Sequence, residues 1–107
     1  MTTDQLQTEL TLKKLAGSED VQVESCYISD LLSRVLGGCG TGDVWITVQT
    51  SINMVAVAMM IGASCVIFPE GLTAPDSVID KANEEGLTIF TSDESAFELA
   101  VKIAQLI

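Results

Sequence analysis

The side chains best suited to nucleophilic or metal chemistry in this sequence are three cysteines, Cys26, Cys39 and Cys65, and nothing stands beside them to activate them. They are widely spaced, form no Cys-x-x-Cys pair, and the chain contains no histidine. A zinc site would have to recruit carboxylates beside isolated thiols, so no metal site is expected. Ser-His-Asp and Cys-His catalysis both require the missing imidazole. Cys65, inside an apolar run, reads as a core thiol. Cys39, between glycines, reads as the exposed one and the candidate for redox sensing.

The glycine run Gly37-Gly38-Cys39-Gly40-Thr41-Gly42 has the look of a phosphate loop but lacks its lysine. It also follows a helical pattern and precedes a strand pattern, the reverse of a P-loop or dinucleotide fingerprint. It is read as a turn. The carboxylate pairs Glu19-Asp20, Glu84-Glu85 and Asp93-Glu94 fall in turns or at helix ends. They read as solvated surface rather than acid–base pairs. No catalytic residue, no metal ligand and no cofactor is assigned, and the chain is read as a non-enzyme.

The elements that must position any site alternate in type. Thr3 to Glu9 is read as a helix and Leu10 to Leu15 as a short extended piece. After the polar turn Gly17 to Asp20, alternation over Val21, Val23 and Cys26 predicts a strand. Ser29-Asp30 opens a helix to about Leu36, stopped by Gly37-Gly38. Val44 to Val48 is a β-branched and aromatic strand. Thr50 and Ser51 cap a helix from Ile52 to Ile61, so apolar that it reads as buried all round. Ala63 to Phe68 is a continuous apolar strand, the central type in a parallel sheet. A helix from about Pro75 to Glu85 faces the sheet through Val78, Ile79 and Ala82, and Leu87 to Phe90 is the next strand. Thr91 and Glu94 fit a capping box for a last helix from Asp93 to Leu106, with Phe97, Ala100, Val101 and Ala104 on its inner stripe.

This order predicts an α/β fold, a three-layer-like, parallel or mostly parallel sheet of about four to five strands flanked by helices, in one domain over residues 1–107. Ligands of such sheets sit outside the carboxyl ends of the strands. Those ends carry three polar loops, each leading into a helix. The ligand-binding candidates are therefore Thr50, Ser51 and Asn53, then Glu70 and Gly71, then Thr91 and Ser92, as hydrogen-bonding contacts. Amides at helix N-termini favour a nucleotide or phosphorylated metabolite there.

Composition narrows the partners. The chain has 107 residues, 48% apolar, and a net charge of −10 with only Lys13, Lys14, Arg34, Lys81 and Lys102 as cations. No cluster of cations exists to neutralise nucleic-acid phosphates or an anionic membrane. The N-terminus has neither a basic region nor an apolar run, so a cytoplasmic location with reduced thiols is expected. The apolar excess fits a well-filled core or a surface buried in a homodimer.

Three blocks, CYISDLLSRVL from Cys26, GDVWITVQTSINMVAVA from Gly42 and VIFPEGLTAPDSVIDKANEEGLTIFTSDESAFELA from Val66, closely resemble the DRTGG domain family, in particular its short stand-alone members in anaerobic bacteria. The resemblance covers nearly the whole chain. It implies a fold similar to the N-terminal domain of HPr kinase/phosphorylase, and a regulatory, dimerising or ligand-sensing role without kinase activity. It also implies, for the stand-alone members, a redox or hydrogenase-related protein partner. The sequence departs from the motif that names the family. The Asp-Arg pair should fall near Gln49-Thr50 and Thr-Gly-Gly near Pro69-Glu70-Gly71, and only Gly71 is kept. Two readings follow: a homodimeric ligand-sensing module, or a pure protein-interaction domain docking through Met54, Met59, Met60 and Trp45.

Overall fold

A computed structural model describes residues 1–107. In chain order the elements are α1 (Thr3–Leu10), β1 (Lys13–Ala16), β2 (Cys26–Ile28), α2 (Leu32–Gly38), β3 (Val44–Ile46), α3 (Ile52–Ile61), β4 (Cys65–Phe68), α4 (Asp76–Glu85), β5 (Ile89–Thr91) and α5 (Ala96–Leu106). The strands form one sheet in the order β1-β5-β4-β3-β2. The pairs β2–β3, β3–β4 and β4–β5 are parallel, and β1 runs antiparallel along β5. The expected mostly parallel α/β sheet is the observed one.

Alternation along the three central strands sorts their side chains between two cores. Trp45, Val66, Phe68 and Ile89 meet Val35 of α2, Met54, Val55 and Ala58 of α3, and Val78 and Ala82 of α4. On the other face Val44, Ile46, Cys65, Ile67 and Phe90 meet Leu6 and Leu10 of α1 and Leu99 and Ile103 of α5. The molecule thus has three layers, with three crossover helices on one face and two helices on the other. Trp45 is fully buried, and its indole Nε1–H donates to the Ser29 carbonyl at 2.9 Å.

Five local expectations are corrected. The last helix begins at Ala96, capped by Ser95 with Glu98 in a capping box, because Thr91 still belongs to β5. Its buried residues are Leu99 and Ile103, while Phe97 is 76% exposed and Val101 and Ala104 also face solvent. This helix has two apolar stripes, and the one bearing Leu99 and Ile103 is the one turned onto the sheet. Helix α3 is not buried all round: Ile52, Met59 and Met60 are exposed, Met60 by 75%. The segment around Val21 and Val23 makes only an isolated bridge between Thr2 and Gln22, although Val23 is buried. Finally, Gly37 and Gly38 lie inside α2, and Cys39 is the residue that ends it.

Two glycines separate backbone necessity from mere tolerance. Gly17 has φ +85°, and a Cβ there would lie 2.5 Å from the Thr88 Cα. Gly37 is helical, with nothing within 4 Å of the place its Cβ would take. In urea unfolding, Gly17→Ala is expected to destabilise the protein by roughly 2 kcal/mol or more, whereas Gly37→Ala should stabilise it by about 0.5–1 kcal/mol.

Candidate functional site: the carboxyl ends of the strands

The loops after β2, β3, β4 and β5 crowd the carboxyl edge of the parallel strands, and hydrogen bonds join them in two pairs. In the first pair, Asp30 Oδ1 accepts from the Thr47 hydroxyl and from the Val48 amide, both at 2.9 Å. The Gln49 side-chain amide donates to the Asp30 carbonyl at 3.0 Å. In the second pair, the Glu70 amide donates to Glu94 O at 2.8 Å and the Gly71 amide to Ser92 O at 2.7 Å. The Thr91 hydroxyl donates to Leu72 O at 2.6 Å. Helix α4 goes to one face of the sheet and α5 to the other, so a crevice would be expected to open between β4 and β5. Here the second set of bonds spans that gap.

The candidate residues divide along the same line. Glu70, Gly71, Thr91 and Ser92 are brought together in the second pair of loops. Thr91 and Ser92 are buried there, and the Ser92 Oγ accepts from the Glu94 amide at 3.1 Å. Glu70 and Gly71 are exposed and both left-handed, at φ 59° and 71°. The Gly71 conformation suits glycine, and a Cβ there would come 3.2 Å from Asp93 Oδ1. Thr50, Ser51 and Asn53 sit in the neighbouring loop. Ser51 caps α3, its Oγ accepting from the Met54 amide at 3.4 Å, and Asn53 is exposed in the first turn. No hydrogen bond links the Thr50–Asn53 stretch to the Glu70–Gly71 turn.

Sequence reasoning missed Asp30, which it placed as a helix opener. Its carboxylate instead ties the β2 loop to β3. The only signal available was an aspartate just beyond a strand, a position that also fits an ordinary cap.

Charge at this edge is mixed and mostly negative. Asp30, Glu70, Asp76 and Asp93 are exposed there, and Lys13 lies beside Thr91 in the β1–β5 register. The N-terminus of α5 is already occupied: Glu98 Oε1 accepts from the Ser95 amide at 3.2 Å, and this bond holds the Glu98 carboxyl below its usual range. The Glu98 carboxylate thus already stands at the α5 N-terminus, where an anionic ligand would otherwise be favoured.

The thiols are quiet. Cys39 is 8% exposed rather than open to solvent, which corrects its expected exposure. Burial, with the nearby Asp43 carboxylate, pushes the Cys26 and Cys39 thiols up to about 11, and burial pushes Cys65 up to about 12. None is a ready thiolate at neutral pH. The single surface cavity, about 140 Å³, lies at the opposite edge of the sheet, between Glu19, Met59, Ser64, Glu85 and Thr88. No helix is long and apolar enough to cross a membrane.

No protein-family model and no curated protein matches the chain. Its fold is similar to that in the CBS and DRTGG domains of the regulatory region of Clostridium perfringens pyrophosphatase, a structure complexed with the activator diadenosine tetraphosphate. The TM-score is 0.77 at 16% identity over 97% of this chain, and the match takes in 46% of that chain. This chain therefore spans less than half of that regulatory region. The likeness is one of fold, and it agrees with the DRTGG-like architecture implied by the sequence blocks.

The raised thiol values fix a pH dependence. The native state keeps these protons while unfolded thiols lose theirs near 9, so the unfolded state binds fewer protons above that value. Stability should be unaffected by the thiols below pH 8 and fall progressively from about pH 9 to 11. A thiol reagent at pH 8 should label the buried Cys39 and Cys65 only as fast as the protein unfolds; rapid labelling of Cys39 in the folded protein would contradict its burial.

Proposed function

We propose that this chain is a non-catalytic regulatory module that acts by binding, as a homodimer, and that it engages its partner through the outer face of α2 and α3. The observation that carries this reading is the distribution of charge and apolar surface. Between Leu31 and Gly42, and again between Gln49 and Pro69, the only charged residue is Arg34, in a chain of net charge −10. Leu36, Ile52, Met59 and Met60 are exposed on these adjoining helices. Methionine suits a surface that must fit a partner's contours. Met54 and Trp45 belong to the core and take no part. The resemblance of the sequence blocks to stand-alone DRTGG proteins makes a redox or hydrogenase-related protein the first partner to try.

The bonds between the β4 and β5 loops support protein contact over a small-molecule site, because they fill the place such a ligand would take. A second reading, a nucleotide-sensing module, is favoured by the structural neighbour, a regulatory region that was solved with diadenosine tetraphosphate. On this chain its seat would be the β3–α3 loop, with Thr50, Ser51 and Asn53 facing Glu70 and Gly71, and Thr91 and Ser92 beneath. Absence of histidine and of a P-loop lysine supports a module without turnover.

A thermal-shift series with adenine nucleotides, diadenosine tetraphosphate and phosphorylated metabolites separates the two. A ligand at 100 times its Kd stabilises by about 2.7 kcal/mol, which is easily seen. The docking reading predicts an unchanged Tm throughout and no hydrolysis of ATP or acetyl phosphate. A dose-dependent rise in Tm, lost in Thr50→Ala/Ser51→Ala, would establish the sensor instead.

A further inference from the structure

We propose that the cavity at the amino edge of the sheet is a binding site for a primary alkylammonium group. It lies at the end of the sheet opposite the strand-end loops, and it does not depend on the docking reading.

The cavity opens where α3 and α4 both end. The crossovers point the C-termini of these helices at the edge where β4 and β5 begin, and each brings the negative end of its dipole there. Neither helix has a basic residue in its last turn, and α4 ends on Glu84-Glu85 against its own dipole. Glu19, beyond β1, adds a further carboxylate. A Cβ on Gly86, which caps α4, would lie 3.9 Å from Glu19 Oε1. Glu19 and Glu85 both line the cavity, and no lysine or arginine does. Glu19 has no ion-pair partner. Lys81, one turn back on α4, holds its Nζ 3.2 Å from Glu85 Oε1 and 4.0 Å from Glu84 Oε2. Those contacts are between exposed groups on one helix and are of the weak kind.

Carboxylates alone would be ordinary solvated surface. What marks the cavity as a site is Ser64. It is 6% exposed, it lines the cavity, and its Oγ is buried without a hydrogen-bond partner. Buried hydroxyls are normally paired, and nothing in the chain pairs this one. A group entering the cavity can reach it, and beside two carboxylates the favoured group is a cationic donor. The rest of the wall includes Val21, Met59 and Leu87, which offer nothing to a metal ion. No cluster of three or more metal-ligating side chains exists in the chain, whereas calcium takes six or more oxygens. An ammonium on a short alkyl chain suits both halves of the wall. Its three N–H donors match Ser64 Oγ and the two carboxylates, and its methylenes match the apolar side. At about 140 Å³ the cavity is close in size to one that takes up benzene, so a butyl chain fits.

An amide chemical-shift titration of the full chain with n-butylamine, at neutral pH and constant ionic strength, tests this. The controls are n-butanol, which lacks the charge, and butyrate, which reverses it. The expected result is saturable shifts at Ser64, Gly86, Leu87 and Thr88 with a Kd of about 1 mM, and none from either control. Glu19→Gln should weaken binding at least fivefold, and Lys81→Ala, which frees Glu85, should tighten it. Ser64→Ala should weaken binding at least threefold without lowering Tm, because its hydroxyl has no bond within the protein to lose. Nα-acetyllysine methylamide presents the same butylammonium on a peptide. Tighter binding of it than of n-butylamine assigns the group to a partner protein's lysine, and weaker binding assigns it to a free amine; either result keeps the site. No saturable shift into the tens of millimolar would overturn the proposal. So would shifts that n-butanol reproduces, or shifts that survive both Glu19→Gln and Ser64→Ala unchanged.

Discussion

Three central parallel strands of only three or four residues, β3, β4 and β5, must be buried on both faces, and most of this molecule follows from that requirement. Successive right-handed crossovers place α2, α3 and α4 on one side. Nothing in that series can cover the other side. The chain meets the need with α1 before the sheet and α5 after it, so the layer facing Phe90 and Ile67 is built from the two ends of the sequence. Two helices cover less than three do, and the outward face of α5 is left without a neighbour in the chain.

The same switch of sides brings the β4 and β5 loops together at the sheet's carboxyl edge while sending their helices apart. In many α/β proteins that divergence is where a ligand enters. Here the amides of Glu70 and Gly71 and the hydroxyl of Thr91 are spent on bonds between the loops. The backbone accepts two consecutive left-handed residues, Glu70 and Gly71, to reach that arrangement. Acidic residues ring the edge, whereas the α2–α3 surface is nearly free of charge. Acidic residues and uncharged apolar surface are thus segregated on this chain of net charge −10.

Much of this was legible in the residues. The continuous apolar run at Cys65–Phe68 and the glycine stops at Gly62 and Gly86 set out β4, α3 and α4 closely, and Ser51 caps α3 as its type predicts. What could not be read was which of two stripes a helix would bury. In α5 the spacing of Phe97, Val101 and Ala104 is as helical as that of Leu99 and Ile103, and only the sheet beneath decides between them. Capping was ambiguous in the same way, since Thr91 with Glu94 and Ser95 with Glu98 fit one pattern. The candidate residues were placed by topology, and they lie in the segments at the carboxyl ends of β3, β4 and β5. The joining of the loops is set by backbone carbonyls and by Asp30, and carbonyls carry no signature in the sequence.

Amide hydrogen exchange at Glu70 and Gly71 tests the central claim most directly, namely that the strand-end edge is closed and the module works through its outer helical faces. Both amides should exchange slowly in the free protein, in step with the amides of β4 and β5, and should not change on addition of millimolar nucleotide. Fast exchange at both positions in the free protein, with protection appearing only when nucleotide is added, would contradict the account.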